Sequence, residues 1–403
     1  MTPAALTPER ERLFLLTLAA VQFSHIVDFM VMMPLGPFLM QGLGIDTRQF
    51  GLLVASYSFC AAASGLLAAG FIDRFERKRT MLVLFALFGL ATLACGLATG
   101  YASLLVARGL AGVFGGILGS LVQTLLADAI PFQRRATAGG VVATAFSVST
   151  VAGVPLSLWI AEAWGWRAPF LLIAVFVVVI WLAAWRWLPV LDGHRDGGEL
   201  RHPLGAIADV LRDANQRWSL AFAITLIFSA FTVIPYLTVY SIGNGGLLAS
   251  QIPLVYLAGG VATLFSARLI GRWADRIGKR RAFRWLALAA MAPILTLTHV
   301  QDVGLAGWLP ASIAFFVLVS GRMIPAMALI SSAVDPARRG AAMSLNSTVQ
   351  SLAMGAASSL AGFVITQGAD GRFSGFDLVG YIAVAAGFAA IMMVGRIQVH
   401  GAG

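Results

Sequence analysis

Ala69-Gly-Phe-Ile-Asp73-Arg74-Phe-Glu76-Arg77-Lys78-Arg79 and Gly271-Arg-Trp-Ala-Asp275-Arg276-Ile-Gly278-Lys279-Arg280-Arg281 are two copies of one charged phrase. Their aspartates stand 202 positions apart in a chain of 403 residues, and each copy joins two long apolar runs. The shared form is small-x-x-x-Asp-Arg-x-x-basic-basic. One basic loop beside a membrane helix would need no more than the preference of Lys and Arg for the cytoplasmic side. Two copies half a chain apart, at matching places among the apolar runs, point to a duplicated architecture.

The runs around these loops set the fold class. Hydrophobic residues make up 59% of the chain and charged residues 11%, whereas a soluble domain carries about a quarter charged residues. A helix that crosses a bilayer needs about 20 mostly apolar residues. Twelve such runs lie between charged or Gly/Pro-rich breaks: 13–40, 50–71, 81–99, 103–127, 139–162, 168–188, 218–241, 251–270, 283–300, 305–332, 341–366 and 377–395. Internal Gly and Pro are tolerated in bilayer helices because neighbouring helices and polar side chains re-satisfy the backbone. The expected fold is all-α, with twelve transmembrane helices in two pseudo-symmetric six-helix bundles. Residues 1–188 form the first bundle, 189–217 a cytoplasmic linker, and 218–403 the second bundle.

This combination resembles the major facilitator superfamily of secondary transporters, whose signature loop has this form between the second and third helices of each half. The first copy departs from the pattern at Ala69 and Glu76, where the family usually has glycine; the second keeps Gly271 and Gly278. A second duplicated element supports the halves. Ala129-Ile-Pro131-Phe-Gln-Arg134-Arg135 follows the fourth run, and Val334-Asp-Pro336-Ala-Arg338-Arg339-Gly340 follows the tenth, their prolines 205 positions apart. In the family, basic residues here sit near the loop aspartates on the cytoplasmic face. The resemblance therefore implies an inside gate built from Asp73, Arg74, Arg77 and Arg134 in one half and Asp275, Arg276, Arg338 and Arg339 in the other. Aspartates that merely cap their loops would read the same way.

Orientation follows from the loops. With twelve spans and an inside N-terminus, the inside segments hold 22 of the 28 Lys and Arg residues, and the outside loops hold Arg48, Arg167 and Arg372. Both termini are thus expected in the cytoplasm of a multi-pass protein of the cell membrane, a bacterial inner membrane. The net charge of +10 is this topology signal. No basic residues interleave with aromatics on a soluble domain, so nucleic acid is not an expected partner. The first run is too long for a signal-peptide core and lacks a cleavage site, so it is kept as a helix. Cys60 and Cys95 both fall inside apolar runs and suggest packing, not a disulfide framework or a metal site. No cofactor or metal is expected. The expected partners are a small-molecule solute, protons and the bilayer, with the chain a monomer.

In the linker, 192–199 reads as flexible. Leu204, Ile207, Val210 and Leu211, spaced among charges, read as a short amphipathic helix on the membrane surface.

Ionisable groups within the runs are the functional candidates, since one at mid-bilayer costs about 2.5–3.5 kcal/mol on insertion scales. Gln22, His25 and Asp28 follow one another at i, i+3 and i+6, so they share a helix face. Asp28 is the leading candidate for a reversible proton site, because a carboxyl taken out of water holds its proton more readily; His25 is the second. Arg108 opens the stripe Arg108, Gly112, Gly115, Gly119, Gln123, in which glycines allow close helix packing and Gln123 reaches the cavity. Arg108-Gly109-Leu-Ala-Gly112 resembles the family's second motif, whose arginine is associated with proton coupling; an arginine near a helix end could equally snorkel to water. Arg322 has no counterpart at the repeat offset, which suggests a solute or counter-ion role in the second half. Two polar stripes would join it at the cavity. One is Thr225, Ser229, Thr232, Tyr236 and Tyr240; the other is Asn346 and Gln350. Gly153-Val-Pro155-Leu-Ser157, read as a helix-packing element, is closer to sugar-efflux-like permeases than to drug antiporters, whose fifth helix carries further glycines.

The leading expectation is a proton-coupled exporter of a small organic solute or drug. An importer or lipid flippase on the same fold is the alternative. A membrane scaffold is disfavoured by the intramembrane charges, and an intramembrane enzyme by the lack of any catalytic motif.

Overall fold

The computed structural model describes residues 7–68, 75–131, 134–189, 203–334 and 339–398. Among them, eleven helical segments are long and apolar enough to cross a bilayer. Numbered in chain order, span 1 is Pro8–Val31, span 2 Thr47–Ala68, span 3 Arg77–Gly96, span 4 Tyr101–Ala129, span 5 Thr137–Trp164 and span 6 Arg167–Trp187. In the second half, span 7 is Ala214–Gly243, span 8 Ala249–Ile277, span 9 Lys279–His299, span 10 Gly304–Ser332 and span 12 Phe376–Arg396. Span 11 is the helix Arg339–Val364. It is not among the eleven, and Ser344, Asn346, Ser347, Thr348, Gln350 and Ser351 crowd its first half.

Several apolar runs that read as continuous are broken, each at a proline. Proline has no N–H for the helix ladder, and its ring clashes with the carbonyl four residues back. The run 13–40 ends as a helix at Val31, turns through Pro34, and resumes as the short helix Gly36–Leu43. Asp28 therefore sits in the last turn before a break and not at the middle of an unbroken helix. Span 7 is interrupted between Phe231 and Leu237 around Pro235, so its polar stripe is not one continuous face. Span 10 breaks between Gly321 and Met323, four residues before Pro325 would have needed an acceptor, and leaves Arg322 at the joint. Span 5 meets the same problem differently: a π turn at Ser149–Gly153 widens the helix ahead of Pro155.

The chain divides into two compact units. The first comprises Met1–Val31 and Ser56–His202, the second Met32–Ala55 and Pro203–Gly403. The connection from span 1 into span 2 thus belongs to the second unit. There Tyr236 is completely buried, and its hydroxyl lies 3.0 Å from the Thr47 carbonyl and 3.2 Å from that of Ser358. Its ring meets Phe50 edge-on.

In the linker the helix Pro203–Arg212 forms, and Asp213 caps span 7 by accepting from the Asn215 amide. Val210 is buried with Leu220, Val334, Ala342 and Leu345, so this helix is anchored on the second unit. Residues 192–199 lie outside the described residues. The only strands among them are Thr366–Gln367 and Phe373–Ser374, a hairpin between spans 11 and 12.

Candidate functional site

In the first unit, span 1 carries Val27-Asp28 close to its end at Val31, and span 4 carries Arg108 about a quarter of the way along. Both side chains are fully buried and form an ion pair, Arg108 Nη1 to Asp28 Oδ2, at 2.8 Å. The same nitrogen lies 3.3 Å from the Asp28 carbonyl, and Thr92 Oγ1 of span 3 donates to Asp28 Oδ1 at 3.2 Å. Nε and Nη2 of Arg108 have no oxygen acceptor among the described residues. They are enclosed by aromatic faces instead, with Tyr57 at 4.8 Å and Phe170 at 5.9 Å from the guanidinium carbon. Such faces stabilise a cation most when water is absent.

Span 4 earns this arrangement through Gly112 and Gly115. A Cβ at Gly112 would strike the backbone of Tyr57, and one at Gly115 its hydroxyl, so only glycine lets span 2 approach closely enough to lay Tyr57 over Arg108. Gly153 plays a similar part against Val27, one residue before Asp28. A charge that could have snorkelled to water is thus drawn into the core by an acid and two rings.

The remaining candidates in this unit are looser. Gln22 Oε1 and His25 Nε2 are buried without a partner among the described residues, and the His25 ring faces Gly119. Gln123 is exposed. Thr92, Tyr57 and Phe170 are the participants that the sequence did not single out. Thr92 was open to recognition as one of few polar residues in the run 81–99; the two aromatics carried no signal that separates them from packing residues.

In the second unit Arg322 is 1% exposed. Its Nη2 donates to Ser229 Oγ at 3.2 Å, Nε has no partner, and no carboxylate pairs with it among the described residues. Of the other members of the span 7 stripe, Tyr240 packs its ring against Phe376, and three bond to backbone. Thr232 donates to the Phe228 carbonyl and Thr225 to that of Ala221, while Tyr236 clasps span 11. Asn346 is buried with Oδ1 unpartnered, and Gln350 has only the Met327 sulfur, at 3.9 Å. A cleft of about 690 Å³ in this unit, beside Asp46, Arg48, Phe363 and Gln367, is lined by none of these residues.

At the expected gate, Asp73, Arg74 and Arg338 lie outside the described residues, as does the Arg339 side chain. Arg77 is described, and pairs with Asp128 at the end of span 4 at 3.2 Å. Arg134 pairs with Glu11, and Arg135 Nε donates to the Ile130 carbonyl. Asp275 and Arg276 are exposed at the end of span 8. Counting only basic residues in these loops overlooked Asp128 and Glu11, which are acids at helix ends on the same side. Glu76, the departure from glycine, is the N-cap of span 3: its carboxylate accepts from the Lys78 and Arg79 amides, both at 2.7 Å. Gly278, at the matching place in the second loop, has φ 91°, a conformation L side chains resist.

Residues 18–358 match the family model described as Major Facilitator Superfamily. A probable sugar efflux transporter of Mannheimia succiniciproducens is 28% identical over 279 residues, 69% of this chain and 67% of the relative. The hexuronate transporter of Bacillus subtilis is 24% identical, the match covering 89% of this chain and 88% of that one. A crystal structure of a bacterial homologue of the human lysosomal transporter Spinster aligns with a TM-score of 0.77 at 15% identity, covering 98% of this chain and 100% of the other, a likeness of fold alone.

Proposed function

The chain belongs to the Major Facilitator Superfamily, a family of multi-pass membrane transporters and not of enzymes, and from that premise we propose that it is a proton-coupled exporter of a small organic solute, with both termini in the cytoplasm. The observation that carries this reading is the fully buried ion pair of Asp28 with Arg108. Two opposite charges in a low-dielectric core are held by each other, and removing one leaves the other strongly unfavourable. Protonation of Asp28 removes one charge without removing any atom. Arg108 then keeps its permanent charge but loses its counter-ion, so the closed packing around Tyr57 and Phe170 is destabilised until the site reopens to water. Loss of the proton restores the pair. The packed and opened arrangements therefore differ in proton affinity, and that difference is what lets a proton gradient bias a conformational equilibrium. His25, one turn before Asp28 on the same face, is a proton relay in this scheme. Gln22, Ser229, Asn346 and Gln350 are solute-facing groups, and Arg77 with Asp128 belongs to the inside gate.

Export is favoured over import by the fifth-span sequence Gly153-Val-Pro155-Leu-Ser157 and by the efflux role in the name of the Mannheimia relative. Reconstitution into proteoliposomes with an imposed pH gradient tests the reading. Asp28→Asn, which imitates the protonated acid, is expected to abolish gradient-driven solute accumulation while leaving solute exchange at zero gradient. Accumulation by Asp28→Asn at the wild-type rate would make Asp28 structural and overturn the proposal.

A further inference from the structure

Arg322 is a buried cation for which the described residues of the second half of the chain supply no anion. The acids of residues 218–403 are Asp275, Asp302, Asp335, Asp370 and Asp377. Asp275 and Asp377 lie in the end turns of spans 8 and 12, and the other three fall between spans. Asp335 lies outside the described residues. Asp377 is ten residues from Gly387, the part of span 12 that faces the guanidinium, about 15 Å, and does not reach it. The hydroxyl of Ser229 occupies one N–H, but a hydroxyl does not neutralise a charge.

The surroundings leave part of the guanidinium unbonded. Nε is unpartnered, and Nη1 lies beside Gly387, where a Cβ would stand 3.6 Å away; glycine keeps that side clear. Both guanidinium edges that offer two parallel N–H groups to the two oxygens of a carboxylate include Nη2, so Ser229 shares that nitrogen with the anion. The repeat shows that the fold itself does not call for this cation. Arg322 and Ser229 stand 203 and 204 positions after Gly119 and His25, close to the offset of the duplicated loops. In the first unit that same pair of positions is a glycine facing a histidine ring, with no fixed charge. We propose that the transported solute is an organic anion, and that its carboxylate is held by Arg322 together with Ser229. Calling this ligand the solute rests on the transport reading above; the anion site itself does not.

Equilibrium binding to the purified full chain, without any gradient, separates the two. Thermal unfolding is followed with matched acids and neutral analogues, gluconate against glucose and benzoate against benzamide, and with inorganic phosphate; nanodiscs of phosphatidylcholine with and without phosphatidylglycerol form a further arm. At least one acid is expected to stabilise the wild type where its neutral analogue does not. Arg322→Gln should weaken that acid about tenfold to a hundredfold, the worth of one or two charge-assisted bonds. Should Arg322→Gln not fold, Arg322→Lys decides, because lysine keeps the charge and loses the planar fork: affinity should fall while the preference for acid over neutral analogue persists. The proposal is overturned if neither acid is distinguished from its neutral analogue, if the preference survives Arg322→Gln, if Arg322→Lys binds as tightly as wild type, or if stabilisation comes from phosphate or phosphatidylglycerol only. Anion binding by a protein whose Asp28→Asn variant still accumulates solute would uphold this site and refute the proton mechanism.

Discussion

Each unit has one arginine that is all but completely enclosed, Arg108 in the first and Arg322 in the second, and the two are treated in opposite ways. Arg108 is surrounded by an aspartate, a threonine holding that aspartate, and two aromatic faces. Arg322 has a serine. A chain that duplicates its helices need not duplicate its electrostatics: in one half the charge is compensated within the protein, and in the other the described residues leave it without a counter-ion. On the proposals above, the paired charge is a switch and the unpaired one a receptor for an anion.

Substitutions that equalise the two arginines test this contrast most strongly. Arg108→Leu leaves Asp28 buried without its partner, and is expected to cost about 3–5 kcal/mol, read as a lower thermal-unfolding midpoint in detergent. The double variant Asp28→Leu with Arg108→Leu should recover most of that loss, because removing both partners of a buried pair is close to neutral. If the double variant is no better than the single, the pair is not what holds these helices.

Gly112→Val probes the packing that lays Tyr57 over Arg108. A side chain there collides with the span 2 backbone, and overpacking of this kind costs about 1–3 kcal/mol. A wild-type midpoint would show that the aromatic cover is not imposed by this glycine.

Arg322→Leu should move the midpoint upward, by about 1–2 kcal/mol, since it removes an uncompensated charge at a functional site. The opposite signs of Arg108→Leu and Arg322→Leu are the sharpest form of the comparison; a large loss of stability for Arg322→Leu would mean that a counter-ion within the protein has been missed.

The smallest effect concerns the two signature loops, which also differ. Glu76 caps span 3 at φ −64°, whereas Gly278 turns at φ 91° before span 9. Glu76→Ala should cost about 1 kcal/mol through the lost cap, and Gly278→Ala about the same through backbone strain. Glu76→Gly, which restores the family residue in the first loop, should also destabilise, because that loop no longer needs a positive φ.

Local features of the chain were legible without any structure. The length of each apolar run decided that a helix would span a bilayer, the duplicated Asp73 and Asp275 phrases decided that six helices would be repeated, and the rarity of charge in the runs singled out Asp28, Arg108 and Arg322. These are properties of consecutive residues, and hydrophobicity acts on them one segment at a time. What the sequence left open was company. Asp28 could have been satisfied by water, by Arg108 or by Arg322; its partner stands 80 positions away, and the choice fell to Gly112 and Gly115, which set how closely span 4 meets span 2. Tyr236, grouped with the solute-facing stripe, turned instead to carbonyls of Thr47 and Ser358, because Pro235 breaks the face it shared with Ser229. Periodicity tells which residues share a side of one helix, but which helix meets that side, and whether a charge finds an opposite charge there, is decided only when the helices pack.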